Sequence, residues 1–320
     1  MGTPSMNKDE FCFVVDKKWN ISYFLLSSAF KKENVYSFLQ PIKYNKNFFE
    51  KIINNGIRIL TNVFYAPKKL LKENFTDKIV VFTNETLSKL NKELLLDIRK
   101  KSKAMILFFI DEMFNDYYSV HNAKEMVEDK DGIFDLVYTF SPKDAEQYGM
   151  LQTTHYYPKL PVVSDAPVKS VFFVGNEKNR KLFLNELTDL FTEKSIGFDF
   201  YVVGSRNKRW KSVRLPYSKV VDKVNSANVI LDMADKRQTG MTLRYYEAVC
   251  YNKKLLTNNV NIVNMPYYDE RYMKIYNGVE DIEKIDKTWF TSCENIDYGY
   301  QGEFEPKYFL EQIARDLGSC

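Results

Sequence analysis

Cysteine is scarce in this chain, and its spacing is not that of a metal site. The four cysteines stand at positions 12, 250, 293 and 320, with none of the short spacings that bind a metal. Cys12 and Cys250 lie inside apolar segments, where a reduced thiol packs as a small hydrophobic group. We therefore expect a protein of a reducing compartment.

Long hydrophobic runs and concentrated charge are also missing. The longest apolar run, residues 104–110, is far too short to span a bilayer, and the first residues show neither a myristoylation motif nor a secretory signal peptide. The net charge is only +4, and Lys and Arg are spread along the whole chain. We expect a cytoplasmic protein without a nucleic-acid partner. Peripheral contact with the inner face of the membrane stays open.

The glycine-rich motifs of dinucleotide- and NTP-binding proteins do not occur. Neither a GxGxxG nor a P-loop is present, which disfavours that chemistry. An Asp-x-Asp pattern occurs at residues 129–131, but it lies in a charged turn before a predicted strand, and we interpret it as a solvated turn. No other group of carboxylates or histidines suggests a metal site. We expect a metal-independent protein without a cofactor.

What the chain does contain is a regular alternation of short apolar runs and helical stretches. Strands separated by helix-length connections predict parallel sheets with right-handed crossovers, and therefore an α/β fold. The predicted strands are residues 11–15, 57–60, 79–82, 105–110, 134–140, 171–174, 198–203, 229–233 and 255–257. The predicted helices are residues 23–31, 48–54, 88–101, 181–194, 217–225, 241–251, 279–285 and 306–317.

The alternation is interrupted once, which predicts two domains. With 320 residues, of which 45% are hydrophobic, the chain can bury two cores. A stretch with three prolines and no helical period separates the two halves. The predicted domains are residues 1–155, a linker at 156–169, a second α/β domain at 170–302 and a C-terminal helix at 303–320.

The stretch from residue 228 to residue 258 carries the main functional signal. It predicts a buried strand, a polar loop that closes on Thr239 and Gly240, and a helix that begins near Met241. Backbone N–H groups and the positive end of the helix dipole suit a phosphate there. Glu247 lies beside the apolar face of this helix, where its carboxylate could bind ribose hydroxyls. The alternative is an ion pair with Arg244 on an ordinary surface helix.

Two more loops leave strands of the second half in a similar way. One contains Gly175, followed by Lys178 and Arg180, and the other contains Gly204. In an open parallel sheet, ligands bind at the carboxyl ends of the strands, and all three loops emerge there.

The order of these segments resembles the donor-binding half of a GT-B glycosyltransferase, and is similar in particular to the bacterial polysaccharide and CgeB-like transferases. The resemblance rests on residues 173–180, 199–204, 217–232 and 239–258, and residues 135–158 fit the end of the first domain of such a family. It implies two Rossmann-like domains that face a cleft. It further implies a nucleotide-sugar donor on the second domain and a surface-polysaccharide or lipid-linked glycan acceptor approached by the first.

The resemblance also implies roles for single residues. Gly240 and the N–H groups of Met241 and Thr242 would hold the diphosphate, Glu247 would take the ribose, and Lys178 or Arg180 would offset phosphate charge. Many retaining enzymes of this fold have a further glutamate eight positions before the ribose glutamate, where this chain has Thr239. The implied donor-binding residues are Gly175, Lys178, Arg180, Gly204, Tyr217, Thr239, Gly240, Met241, Thr242, Arg244 and Glu247.

A transfer that inverts the sugar needs a general base, which the first domain should supply. The candidates are Asp111 and Glu112, which directly follow a buried strand, and then His121 and His155. A carboxylate in that position is just as often a helix cap. If the transfer retains configuration, these residues would only bind the acceptor.

Two other functions fit the same sequence. A non-catalytic subunit that binds a nucleotide sugar would keep Gly240 and Glu247 but lack a working base. A two-domain enzyme of other nucleotide chemistry, such as a sugar-nucleotide epimerase, is the third hypothesis.

Overall fold

The computed structural model describes residues 8–17, 21–31, 34–39, 70, 72–87, 90–114, 132–162 and 169–318. The contacts divide the chain into two compact units, Met1–Pro158 with Phe304–Cys320, and Lys159–Glu303. The helix predicted at 48–54, the strand predicted at 57–60, His121 and the Asp-x-Asp pattern at 129–131 lie outside the described residues.

Among the described residues, six parallel strands form the sheet at the centre of the first unit, in the order β2-β1-β3-β4-β5-β6. Every residue of β3 and β4 is buried, as expected for strands covered on both faces. The strands are β1 (Phe11–Lys17), β2 (Val35–Leu39), β3 (Ile79–Thr83), β4 (Ala104–Phe109), β5 (Leu136–Thr139) and β6 (Leu151–Gln152). The helices are α1 (Ile21–Ala29), α2 (Asn84–Leu87), α3 (Lys92–Arg99) and α4 (Pro142–Tyr148).

The helix predicted at residues 88–101 is shorter in the structure, because α3 has a polar start. The side chain of Asn91 accepts a hydrogen bond from the N–H of Leu94 at 3.0 Å and caps the helix. Ser141 caps α4 in the same way, with Pro142 in the first turn and Gly149 in a left-handed conformation (φ 66°) at its end.

The second unit is built on a five-stranded parallel sheet in the order β11-β10-β9-β7-β8. Its strands are β7 (Lys169–Asn176), β8 (Phe198–Val203), β9 (Ala227–Asp232), β10 (Lys254–Thr257) and β11 (Met273–Ile275). Its helices are α5 (Lys181–Glu193), α6 (Tyr217–Asn225), α7 (Leu243–Cys250), α8 (Val279–Glu283) and α9 (Lys287–Thr291), with 3₁₀ turns at Lys178–Arg180 and Val260–Asn264.

The apolar face of α5 shows how this sheet is covered. Leu184, Leu187 and Phe191 follow the helical period and are fully buried against the sheet. The ring of Phe191 lies 6.4 Å from that of Phe200 in β8. Each such side chain contributes about 1.5–3 kcal/mol on burial.

The last helix, α10 (Pro306–Gly318), belongs to the first unit. The hydroxyl of Tyr138 in β5 donates to Oδ2 of Asp316 at 2.7 Å, and that of Thr153 donates to Oε1 of Gln312 at 2.8 Å. Phe309 packs its ring against that of Phe108, with centroids 5.1 Å apart. The chain therefore returns to the unit in which it began.

The two parallel sheets confirm the predicted α/β class. No helix among the described residues has the length and apolar character needed to cross a bilayer.

Candidate functional site

The strand order of the second unit places a switch point, where open α/β sheets form a crevice, at the carboxyl ends of β7 and β9. From β7 the chain crosses to β8, which pairs with one edge of β7. It then returns to β9, which pairs with the opposite edge of β7. The loops after β7 and β9 therefore leave in opposite directions. Such a switch point is where open α/β sheets bind their ligands.

Arg180 joins the two loops that border this switch point. Its Nη2 donates to the carbonyl of Met233 after β9 at 2.6 Å, and its Nη1 donates to the carbonyl of Asn176 at the end of β7 at 3.2 Å. These two contacts hold a guanidinium charge at the switch point. Lys178 lies in the same 3₁₀ turn, but its side chain is outside the described part of the structure.

Glycine is favoured at two positions of these loops for different reasons. A Cβ on Gly175 would lie 2.9 Å from the ring of Phe173, so the absence of a side chain lets this ring pack. Gly204 has φ +89°, a left-handed conformation that favours glycine. Just beyond it, the Ser205 hydroxyl donates to Oε1 of Glu177 at 2.7 Å and ties the loop after β8 to that after β7.

Asp232 ends β9 and organises the other side of the switch point. Its two carboxylate oxygens accept hydrogen bonds from the hydroxyls of Thr242 at 2.9 Å and Thr257 at 2.8 Å. Burial raises the pKa of Asp232, and the two hydroxyls and the charges of Arg244 and Arg180 oppose this shift. One buried carboxylate thus links β9, β10 and the start of α7.

The turn before α7 is held by side-chain amides. The Gly240 carbonyl accepts from Nδ2 of Asn259 and from Nε2 of Gln238, both at 3.0 Å, and the Thr239 carbonyl accepts from Nδ2 of Asn261 at 3.2 Å. A trans peptide carries its N–H opposite its carbonyl, and the structure has no cis peptide among the described residues. The N–H groups of Gly240 and Met241 therefore point away from the asparagine side chains.

Helix α7 begins two residues after the predicted start. Thr242 is its N-cap, and the Thr242 hydroxyl accepts from the N–H of Arg244 at 3.1 Å. Met241 and Thr242 therefore precede the helix. Within the described part of the chain, the N–H groups of Met241, Thr242 and Leu243 donate to no protein acceptor, as expected at a helix start.

Glu247 is fully buried and is held by two neighbours. Oε1 accepts from the hydroxyl of Tyr217, the first residue of α6, at 2.6 Å, and Oε2 pairs with Nη1 of Arg244. Burial raises the pKa of Glu247, and the charge of Arg244 and the Tyr217 hydroxyl oppose that shift. The ion pair with Arg244 that the sequence offered as the alternative is therefore present, but it is an enclosed pair and not one on a surface helix.

In the first unit, Asp111 and Glu112 follow the carboxyl end of β4 as predicted. Asn84, which is fully buried at the end of β3, accepts from the N–H of Ile110 at 2.9 Å and donates to Oδ2 of Asp111 at 3.4 Å. The side chain of Glu112 is only 1% exposed, whereas Asp111 is partly exposed.

His155 has a different environment from these carboxylates. Its ring lies 4.2 Å from that of Phe140 and 5.8 Å from that of Phe108, measured between centroids. Burial lowers the pKa of His155 to about 3, so the imidazole is neutral at neutral pH. A group with this pKa is a weak proton acceptor.

Sequence patterns missed the residues that support the site. Asn84, Asp232, Asn259 and Asn261 are polar side chains just beyond or at the ends of strands, and that placement is the one sequence signal that could have identified them. Among the described residues, no group of three or more His, Cys, Asp or Glu side chains is placed to hold a metal ion.

Comparisons with known proteins identify the fold but not the family. No protein-family model matches the sequence, and no curated protein matches it. The α,α-trehalose-phosphate synthase (UDP-forming) of Burkholderia vietnamiensis has a similar structure, with a TM-score of 0.50 and 10% identity over 86% of this chain and 79% of that one. At this identity the likeness shows the fold alone. With its two parallel sheets, the protein has the GT-B-like architecture expected from the sequence.

Two further solved structures match more weakly. UDP-N-acetylglucosamine 2-epimerase of Rickettsia bellii gives a TM-score of 0.47 and 15% identity over 96% of this chain and 88% of that one. An α1,3-fucosyltransferase with GDP gives a TM-score of 0.34 and 12% identity over 97% of this chain and 92% of that one.

Proposed function

We propose that this protein is a glycosyltransferase that moves a sugar from a nucleotide diphosphate to a surface-polysaccharide or lipid-linked glycan acceptor. The observation that carries the proposal is the switch point of the second sheet. There the Arg180 guanidinium joins the loops after β7 and β9, and the start of α7 follows the second of these loops.

The charge and hydrogen-bonding groups at this switch point suit a diphosphate. The N–H groups of Met241, Thr242 and Leu243, which donate to no acceptor among the described residues, favour an anion, as does the helix dipole. Arg180 and Arg244 add positive charge. When the bond between sugar and diphosphate breaks, negative charge grows on the leaving phosphate, and fixed donors of this kind stabilise it.

Asp111 is the base that we propose for the acceptor hydroxyl. It leaves β4 at the carboxyl end of the first sheet, is partly exposed, and accepts a hydrogen bond from Asn84. Glu112 is nearly fully enclosed and His155 has a strongly lowered pKa, so both are poorer candidates.

Donor binding is tested by titrating the protein with UDP, GDP, ADP, CDP and TDP in a calorimeter and by thermal shift. At a hundred times its dissociation constant, a ligand should add about 2.7 kcal/mol to the free energy of unfolding. Arg180→Gln should weaken binding of the preferred diphosphate about tenfold or more. The matched control is Arg209→Gln, since Arg209 instead contacts Asp189 and Asn185 on α5. If none of the five diphosphates binds, the proposal is wrong.

A turnover assay separates the enzyme from a non-catalytic binding subunit. We expect release of nucleoside diphosphate from the matching donor sugar to depend on a glycan acceptor, and Asp111→Asn to lower that release without changing donor affinity. Tight donor binding with no turnover on any acceptor would favour the subunit. Conversion of the donor into another sugar nucleotide without an acceptor would favour an epimerase.

A further inference from the structure

Tyr217, Glu247 and Arg244 form a trio in which the arginine side chain has the largest exposed fraction. The side chain of Glu247 is 0% exposed and that of Arg244 is 15% exposed. Tyr217, on α6, is buried with 8% of its surface exposed. A ligand that approaches this trio therefore meets the arginine side chain before it meets the carboxylate.

This enclosure argues against direct contact between Glu247 and a ribose. One carboxylate oxygen accepts from the Tyr217 hydroxyl at 2.6 Å, and the other pairs with Nη1 of Arg244. A ribose hydroxyl would have to open the packing around a buried charge and replace one of these partners. Removing the partner of a buried charge is costly, because the charge is left poorly compensated.

The same contacts have a clear effect on Arg244. Guanidinium groups bind phosphates through planar, directed N–H groups, and their long side chains lose conformational freedom on binding. A buried carboxylate on one side of the guanidinium removes much of that freedom before the ligand arrives. Arg244 also lies in the first turn of α7, directly after the N–H groups of Met241, Thr242 and Leu243.

We infer that Glu247 and Tyr217 are positioning residues, which hold the Arg244 guanidinium against the diphosphate of the donor. This inference rests on the proposed function and assigns Glu247 a role different from the ribose contact implied by the family resemblance. Glu247 acts on the phosphate through Arg244, and Tyr217 fixes the carboxylate from α6.

The test compares the preferred nucleoside diphosphate with its nucleoside, which has the ribose but no phosphate. Affinity for the diphosphate is measured by calorimetry, and affinity for the nucleoside by competition. We expect Arg244→Gln and Glu247→Gln each to weaken the diphosphate about 10- to 100-fold while nucleoside affinity is unchanged. The double variant should lose little more diphosphate affinity than either single variant, because the two substitutions remove the same contact.

Two further variants keep the test sound. Tyr217→Phe keeps the ring and should weaken diphosphate binding less than Glu247→Gln does, without changing nucleoside binding. It replaces Glu247→Gln if that variant does not fold. Asp199→Asn is the matched control, because Asp199 is a buried acid of the same unit that pairs with Lys211 at 2.5 Å and Lys223 at 3.0 Å. It should leave both affinities unchanged.

The opposite pattern would overturn the inference. Glu247 contacts the ribose if Glu247→Gln weakens the binding of nucleoside and of diphosphate equally, and if its loss of affinity adds fully to that of Arg244→Gln. The proposed function would then survive. If the unmodified protein binds no nucleoside diphosphate, the proposed function and this inference both fall.

Discussion

At the scale of single residues, Thr242 shows how one hydroxyl can serve two elements. It donates to buried Asp232 at the end of β9 and accepts from the N–H of Arg244 at the start of α7. Threonine is common at helix starts, but the sequence pattern predicted a start near Met241 and not a cap at Thr242. It does not predict the second contact, because Asp232 is brought near by the crossover from β9 to α7.

The first prediction concerns this hydroxyl. Thr242→Val, which keeps the shape but removes the hydroxyl, should lower the free energy of unfolding by about 1–2 kcal/mol, because a helix cap and a hydrogen bond to a buried carboxylate are lost. Thr242→Ser keeps the hydroxyl and should cost much less. Chemical denaturation of the three proteins measures the difference. Equal stability of the Val and Ser variants would contradict the assigned contacts.

The second prediction concerns His155 and pH. Its pKa in the folded protein is about 3, below the ordinary value of 6.5, so the unfolded chain binds a proton that the folded chain does not. This contribution to stability is complete above pH 6.5 and is lost as the pH falls towards 3, by up to about 1.4 kcal/mol per pH unit.

Denaturation of the wild-type protein and of His155→Gln between pH 7 and pH 5 tests this dependence. As the pH falls from 7 to 5, the free energy of unfolding should decrease more in the wild-type protein than in His155→Gln. An NMR titration that shows His155 protonated at pH 6 would contradict the prediction.

At the scale of elements, the turn before α7 depends on the 3₁₀ turn Val260–Asn264 and the residue before it. Asn259 and Asn261 hold the carbonyls of Gly240 and Thr239, and this orients the N–H groups on the opposite side of those peptides. The phosphate-binding geometry that we propose is therefore supported by side chains from beyond the next strand.

The third prediction follows from this support. Asn259→Ala removes a buried donor and should lower stability by about 1 kcal/mol; it should also weaken nucleoside diphosphate binding, because the N–H groups lose their fixed direction. Asn264→Ala changes an exposed asparagine of the same 3₁₀ turn and is the control. Calorimetry and thermal unfolding measure both effects. Unchanged diphosphate affinity in Asn259→Ala would separate this turn from the binding site.

At the scale of the whole molecule, the C-terminal helix completes the first unit. The chain leaves that unit at Pro158 and re-enters it at Phe304, whose carbonyl accepts from the N–H of Tyr157 at 2.6 Å. Phe309 of α10 then packs against the rings of Phe108 and Tyr138. The first core is therefore built from both ends of the sequence.

The fourth prediction uses this arrangement. Phe309→Ala should destabilise the first unit by about 3–5 kcal/mol, because it leaves a cavity among aromatic rings. Hydrogen exchange should increase in β4 and β5 and remain unchanged in α7 of the second unit. Tyr308→Ala changes a neighbouring aromatic residue that is 39% exposed, and should have little effect. Faster exchange in α7 alone would contradict the assignment of α10 to the first unit.

Local patterns in the sequence were sufficient for the fold class and for the places of several candidate residues along the strands and helices. Apolar runs and helical periods are properties of neighbouring residues, so they predicted most of the described strands and helices and placed Arg180 and Asp111 after the carboxyl ends of strands. They missed β2, β6 and β11, which are short strands at the edges of the two sheets. They also missed the short helices α2, α4 and α9.

Only the tertiary structure decided how distant segments meet. The sheet order puts the switch point between β7 and β9, and packing of α6 beside α7 encloses Glu247 with a tyrosine 30 residues away. Tertiary packing also places Asn259 behind Gly240 in the second unit and α10 on the sheet of the first unit. The physical reason is that periodicity reports which face of an element is buried, whereas its partner on that face is selected by the assembly of the whole core.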